Sequence, residues 1–138
     1  MNQTVVKTQA AGFTMSAEAK QIGGDLLITL TGGDTPHIGT VTTFSRNQKR
    51  ESLRFESHSG RFHKDDVLAE KLLETLAPFI PGNCVITSGV HVNGITQEQI
   101  AASFDMAAQL SQQLADWLKK TPFTSKAPIY KKNHDVND

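Results

Sequence analysis

The chain has 138 residues, a length typical of one domain that buries a core of its own. It carries 14 Lys and Arg residues against 14 Asp and Glu residues, so the formal net charge is zero, and a dedicated nucleic-acid-binding protein is not indicated. The single cysteine excludes an internal disulfide. Because neither a charged leader nor an apolar run of roughly 18 residues is present, we expect a cytoplasmic protein without a membrane segment.

Alternating side chains predict strands in the first half of the chain. Residues 1–11 are polar and unpatterned, and we expect a flexible N-terminal segment there. Over residues 12–20 apolar and polar side chains alternate, which predicts a half-buried strand. Further strands are predicted over residues 26–31, 38–44 and 52–57, separated by glycine-rich or polar turns. Consecutive strands joined in this way predict an antiparallel meander.

The hydrophobic period changes in the second half of the chain. Apolar residues at three- and four-residue spacing predict helices over residues 65–80 and 96–120, with a short apolar strand between them over residues 84–90. Thr96 and Gln99 have the spacing of a capping box at the start of the second helix. The residues of this helix that the pattern turns inward are Ile100, Phe104, Ala107, Leu114, Trp117 and Leu118.

These elements predict one α/β domain of the α+β type over residues 12–121, followed by an irregular C-terminal tail over residues 122–138. The expected architecture is a mainly antiparallel mixed sheet with two long helices packed on one face. Loops at strand ends are where binding residues concentrate, and three loops of this chain combine an imidazole with glycine or lysine.

Each of the three loops has a functional and a purely structural interpretation. The loop over residues 32–39 is either a ligand-contacting loop or a hairpin turn, and His63-Lys64 is either an anion site at a helix start or an exposed flank of the helix cap. The segment over residues 89–96 has the strand, glycine loop and helix start that bind phosphate or carboxylate, although Asn93-Gly94 is also typical of a type I′ turn. The candidate ligand residues are Gly32, Gly33, His37, Gly39, His63, Lys64, Gly89, His91, Asn93, Gly94 and Thr96.

A metal centre is the alternative use of the same imidazoles. His37, His63 and His91 could together hold a catalytic metal with an open coordination position, which would make the protein a metal-assisted hydrolase. Their spacing matches no metal-binding motif, and we expect no metal. Cys84 lies in an apolar strand, where a small buried side chain is more typical than a nucleophile.

In their order along the chain, these motifs resemble the prenylated-flavin chaperone family, which includes the small D subunit of gallate decarboxylase. The resemblance rests on the segments over residues 32–39, 63–65 and 89–94, the last followed by a helix start, and it covers roughly residues 12–118. It implies a non-catalytic accessory protein that binds prenylated FMN or FMN and delivers it to a partner decarboxylase of aromatic acids. The bound flavin is a small anionic ligand, and a homo-oligomer is compatible with this role.

Three functions are therefore carried forward from the sequence: a flavin chaperone, a metal-assisted hydrolase, and a ligand-free structural subunit of a decarboxylase. Flavin released from the purified protein favours the first function, and stoichiometric metal favours the second. The sequence does not identify the partner decarboxylase, the redox state of the flavin or the oligomeric state.

Overall fold

The computed structural model describes residues 2–56, 65–124 and 126–131. Six strands form one sheet, and two helices pack against it, which confirms the predicted fold class. The strands and helices are β1 (Gln3–Ala10), β2 (Phe13–Ile22), β3 (Asp25–Gly33), β4 (Thr40–Ser45), β5 (Gln48–Arg54), α1 (Asp66–Leu76), β6 (Asn83–His91) and α2 (Gln97–Lys120), with a short 3-10 turn over Ala77–Phe79 after α1.

The strand order is β1-β2-β3-β6-β4-β5, so the predicted continuous meander is wrong. β6 lies between β3 and β4 and is parallel to β3, whereas every other neighbouring pair is antiparallel. Alternation along a strand shows which side chains face the core, but it carries no information about which strands are neighbours. The chain between β3 and β4 must therefore cross the end of β6.

The N-terminal residues form a strand instead of the flexible segment expected over residues 1–11. β1 pairs along its whole length with β2, from Gln3 opposite Lys20 to Ala10 opposite Phe13. Its side chains alternate only between exposed and half-buried, because β1 is the edge strand of the sheet. A strand with so weak a hydrophobic pattern is not revealed by the alternation of its side chains.

The helices cover one face of the sheet. α1 packs on β4 and β6, while α2 packs on β1 and β2, and the core between the layers contains Leu72, Ile86 and Leu110. Within the described residues, neither helix is long and apolar enough to cross a membrane. Cys84 is 1% exposed, and its burial raises the pKa of the thiol to about 12, which fits a buried side chain instead of a nucleophile.

The buried stripe of α2 differs from the predicted one at its N-terminal end. Ile100 and Phe104 are 37% and 38% exposed, and the stripe instead includes Ser103 and Ser111. The hydroxyls of these two serines donate to the backbone carbonyls of Ile100 and Ala108, three residues earlier in each case. A serine whose hydroxyl bonds to its own helix can be buried, and a pattern that treats serine as exposed misplaces the stripe.

Candidate functional site

The candidate site lies at the edge of the sheet where β3 and β6 end. Because these strands are parallel, their carboxyl ends meet at the same edge, and Gly33 is opposite His91. From β3 the chain runs across β6 to reach β4, whereas from β6 it runs in the opposite direction to α2. Ligands of sheets with parallel strands commonly bind beyond such carboxyl ends.

Hydrogen bonds join the connections that leave the two strands. The backbone N–H of Asp34 donates to the carbonyl oxygen of His91 at 2.6 Å, which extends the ladder beyond Gly33. The Asp34 carboxylate in turn accepts from the backbone N–H of Asn93 at 2.8 Å. The first and third predicted ligand loops are therefore held together by backbone hydrogen bonds to the His91 carbonyl and by the side-chain carboxylate of Asp34.

Two glycines of the predicted site are required by close backbone contacts. Gly33 has a φ of +78°, and a Cβ on it would overlap the carbonyl group of His91. A Cβ on Gly89 would overlap the carbonyl group of His37, where the loop from β3 crosses β6. Glycine accepts both conditions because it has no side chain. These close contacts alone account for a glycine at each position, so neither glycine is by itself evidence for a ligand.

His37 lies inside the crossing loop and faces the start of α1. Its Nδ1 is 2.8 Å from the carbonyl oxygen of Thr35, so this nitrogen carries a hydrogen. Its Nε2 is 3.8 Å from the carboxylate of Asp65, whose other oxygen accepts from the backbone N–H of Val90 at 3.1 Å. Asp65, which directly precedes α1, thereby contacts both the imidazole of His37 and β6.

His91 occupies an exposed position in the neighbouring loop. Its Nε2 is 3.0 Å from Asn93 Oδ1, and the side chains of both residues are exposed. Gly94 follows with a φ of +60° in open space, and α2 then begins at Gln97 with Thr96 as its N-cap residue. Thr96 and Gln99 form the predicted capping box, with hydrogen bonds of 3.0 and 3.1 Å.

The described part of this edge carries more carboxylates than cationic groups. Asp34 and Asp65 accept backbone hydrogen bonds, and Asp66 forms a bidentate pair with Arg54 at 3.1 and 3.2 Å. Glu98 lies in the first turn of α2. An anionic ligand therefore depends here on backbone N–H groups and imidazoles, because the Arg54 charge is already paired with a carboxylate.

Comparison with known proteins agrees with this arrangement of motifs. A sequence model of the prenylated flavin chaperone LpdD-like domain matches residues 9–119. The chain belongs to this family. It is also 45% identical over 123 residues to Protein LpdD of Lactiplantibacillus plantarum, an alignment that covers 89% of this chain and 90% of that protein.

In this LpdD-like chain, the structure brings together two of the three predicted loops. Gly32, Gly33, His37 and Gly39 lie beside Gly89, His91 and Asn93, while Gly94 and Thr96 lead into α2. The predicted site residues His63 and Lys64 lie outside the described residues. Across residues 2–56, 65–124 and 126–131, no cluster of three or more His, Cys, Asp or Glu side chains is placed to bind a metal ion.

Two buried polar residues of this LpdD-like chain are not predicted from the sequence. Thr40 and Ser88 are directly opposite each other on β4 and β6, and both are fully buried on the helix-covered face. Their hydroxyls have no hydrogen-bond partner among the residues that the structure describes. The available signal was a serine inside the apolar strand of residues 84–90, but a threonine at the start of a strand is too ordinary to be noticed.

Proposed function

We propose that the protein binds prenylated FMN, or FMN, at the carboxyl ends of β3 and β6 and delivers it to a partner decarboxylase of the gallate type. The observation that carries the proposal is that the family match spans both loops that are hydrogen-bonded at this edge. Protein LpdD is 45% identical to the chain over 123 residues, and the family description names a prenylated flavin as the molecule handled.

The phosphate of the flavin fits the start of α2. The capping box engages the N–H groups of Thr96 and Gln99, so those of Gln97 and Glu98 remain without an acceptor inside the helix. The exposed imidazole of His91 lies in the loop that leads to this helix start. Backbone N–H groups at a helix start and a neighbouring imidazole are suitable donors for a phosphate.

The ring system of the flavin fits the adjacent crossing loop. Ile38 and Ile95 are exposed apolar side chains in the two connecting loops, and they offer contact surface to an aromatic ring. The backbone between Gly33 and His37 and the imidazole of His37 offer polar atoms to the ring edge. A site with an apolar wall and a few polar groups is typical of cofactor binding.

The role that follows is binding and release, without a chemical step on the flavin. The carboxylates Asp34 and Asp65 accept hydrogen bonds from backbone N–H groups of the neighbouring strand end. They therefore hold the two loops in place, and we assign neither of them to proton transfer. The chemistry of decarboxylation belongs to the partner enzyme.

The test is to purify the protein from cells that make prenylated FMN and to measure its absorbance and native mass. We expect flavin absorbance and a mass increase of one prenylated FMN, and we expect the loaded protein to activate the apo form of a prenylated-flavin-dependent decarboxylase. A colourless protein that also fails to bind added FMN or prenylated FMN refutes the proposal. Stoichiometric metal in place of flavin would favour the hydrolase.

A further inference from the structure

Six polar side chains are buried among the described residues, and they divide into two groups. Four of them have hydrogen-bond partners, namely Gln21, Thr42, Ser103 and Ser111. The other two are Thr40 and Ser88, whose hydroxyl oxygens are inaccessible to solvent and have no partner. Buried polar groups are almost always paired, so two unpaired hydroxyls at one place call for a physical explanation.

The hydroxyls of Thr40 and Ser88 lie beside each other on neighbouring strands. Thr40 and Ser88 are Cα partners in the β4–β6 ladder, and cross-strand partners have Cβ atoms roughly 5 Å apart on the same face. That face carries α1, which packs on both strands. Two residues further along β6, Val90 donates to Asp65, the residue that caps α1. The pair therefore lies near the N-terminal end of α1, beside the candidate site.

The neighbouring Thr42 has a hydrogen-bond partner, in contrast to Thr40 and Ser88. Thr42 lies on the same face of the same strand, and its hydroxyl hydrogen bonds with that of Ser52 at 2.8 Å. A hydroxyl that is buried without a partner lowers the stability of the fold. Residues that lower stability in this way are typical of binding sites.

We propose that the hydroxyls of Thr40 and Ser88 form the inner end of the ligand site and bind a neutral polar group of the flavin ring. This inference rests on the proposed function. The group bound is a carbonyl or N–H of the ring and not the phosphate, because the Asp65 carboxylate lies beside Val90, two residues from Ser88, and disfavours a second anion. Hydroxyls donate as well as accept, so they suit either ring atom.

The site is closed in the described conformation, since both residues are 0% exposed. Entry of a ring edge therefore requires part of the helix layer to move, and we infer that the first turn of α1 moves, because Asp65 joins its start to β6. Asp65 is placed to control this movement, because its carboxylate is the described link between the start of α1 and β6. Binding that follows such a movement is slower than simple docking.

The experiment compares Thr40→Val combined with Ser88→Ala against wild type, with Thr42→Val as the matched control. Each variant is measured for its melting temperature without ligand and for its Kd toward FMN and prenylated FMN. We expect the double variant to melt no lower than wild type and to bind prenylated FMN at least tenfold more weakly. Thr42→Val is expected to melt lower and to keep the wild-type Kd, because it loses a satisfied bond away from the ligand.

A double variant that binds both flavins within twofold of wild type overturns the inference, because the hydroxyls are then not part of the site. If the double variant does not fold, Ser88→Ala alone decides, with a Kd at least threefold weaker expected and an unchanged Kd overturning the inference. A wild-type protein that binds neither flavin refutes the proposed function and this inference together. Titration with inorganic phosphate separates the phosphate subsite, since its Kd is expected to be equal in all variants.

Discussion

Replacing Gly33 by alanine tests the crossing of the two strand connections. The residue combines a φ of +78° with a position where a Cβ would overlap the carbonyl group of His91. A left-handed conformation costs an L residue about 1–2 kcal/mol. Forcing an extra carbon into packed surroundings adds about 1–3 kcal/mol. We therefore expect Gly33→Ala to lower the free energy of unfolding by about 2–5 kcal/mol.

Gly94 provides the matched control for this prediction. Its φ is +60°, but a Cβ there would have no atom within 4 Å. Gly94→Ala should therefore lower the free energy of unfolding only by the cost of a left-handed conformation, about 1–2 kcal/mol. For a chain of this size, 1 kcal/mol corresponds to about 4 °C in melting temperature. The two variants should thus melt about 8–20 °C and about 4–8 °C below wild type.

The assay is urea and thermal unfolding of the three proteins side by side, followed by circular dichroism. The difference between the variants isolates the close contact of Gly33 with His91, since the backbone requirement is shared. If Gly33→Ala and Gly94→Ala cost the same within about 0.5 kcal/mol, the end of β3 does not approach His91 in solution. The site geometry described above would then be incorrect.

Three further predictions concern single residues. His91→Ala should weaken binding of prenylated FMN about tenfold or more. Because the side chain is exposed, the free energy of unfolding should change by less than about 0.5 kcal/mol. An unchanged Kd would show that His91 is not part of the site. Asp34→Ala removes the hydrogen bond from the backbone N–H of Asn93 and should lower the free energy of unfolding by about 1–3 kcal/mol. Asp34→Asn keeps an acceptor oxygen and should lower it less. Equal losses in the two variants would contradict this prediction. Burial raises the pKa of the Cys84 thiol from 9.0 to about 12, so this group should lower the free energy of unfolding by about 1.4 kcal/mol per pH unit between these values. Because other side chains also titrate at alkaline pH, the measurement is the difference in slope between wild type and Cys84→Ala, and equal slopes contradict the prediction.

Sequence periodicity was sufficient for the elements with a strong apolar pattern. The predicted helix starts near Asp65 and Thr96 agree with the structure, as does the buried strand that contains Cys84. The capping box of Thr96 and Gln99 was visible because its bonds join residues three apart. Local interactions of this kind are encoded in consecutive residues, and a sequence alone reveals them.

Long-range pairing was beyond such reasoning. The insertion of β6 between β3 and β4 depends on contacts between residues distant in sequence, and β1 has too little apolar alternation to be recognised. The glycines at 33 and 89 were correctly singled out, but the sequence could not distinguish a close backbone contact from contact with a ligand. The buried pair Thr40 and Ser88 appears only when the strand register is known.

Hydrogen–deuterium exchange of the protein with and without prenylated FMN locates the flavin site directly. We expect slower exchange of the backbone amides over residues 33–39 and 89–99, together with the first turn of α1. We expect no change at the opposite end of the sheet, in the turn over residues 45–48 between β4 and β5. Protection confined to that turn, or to the face of the sheet without helices, would contradict a flavin site at the carboxyl ends of β3 and β6.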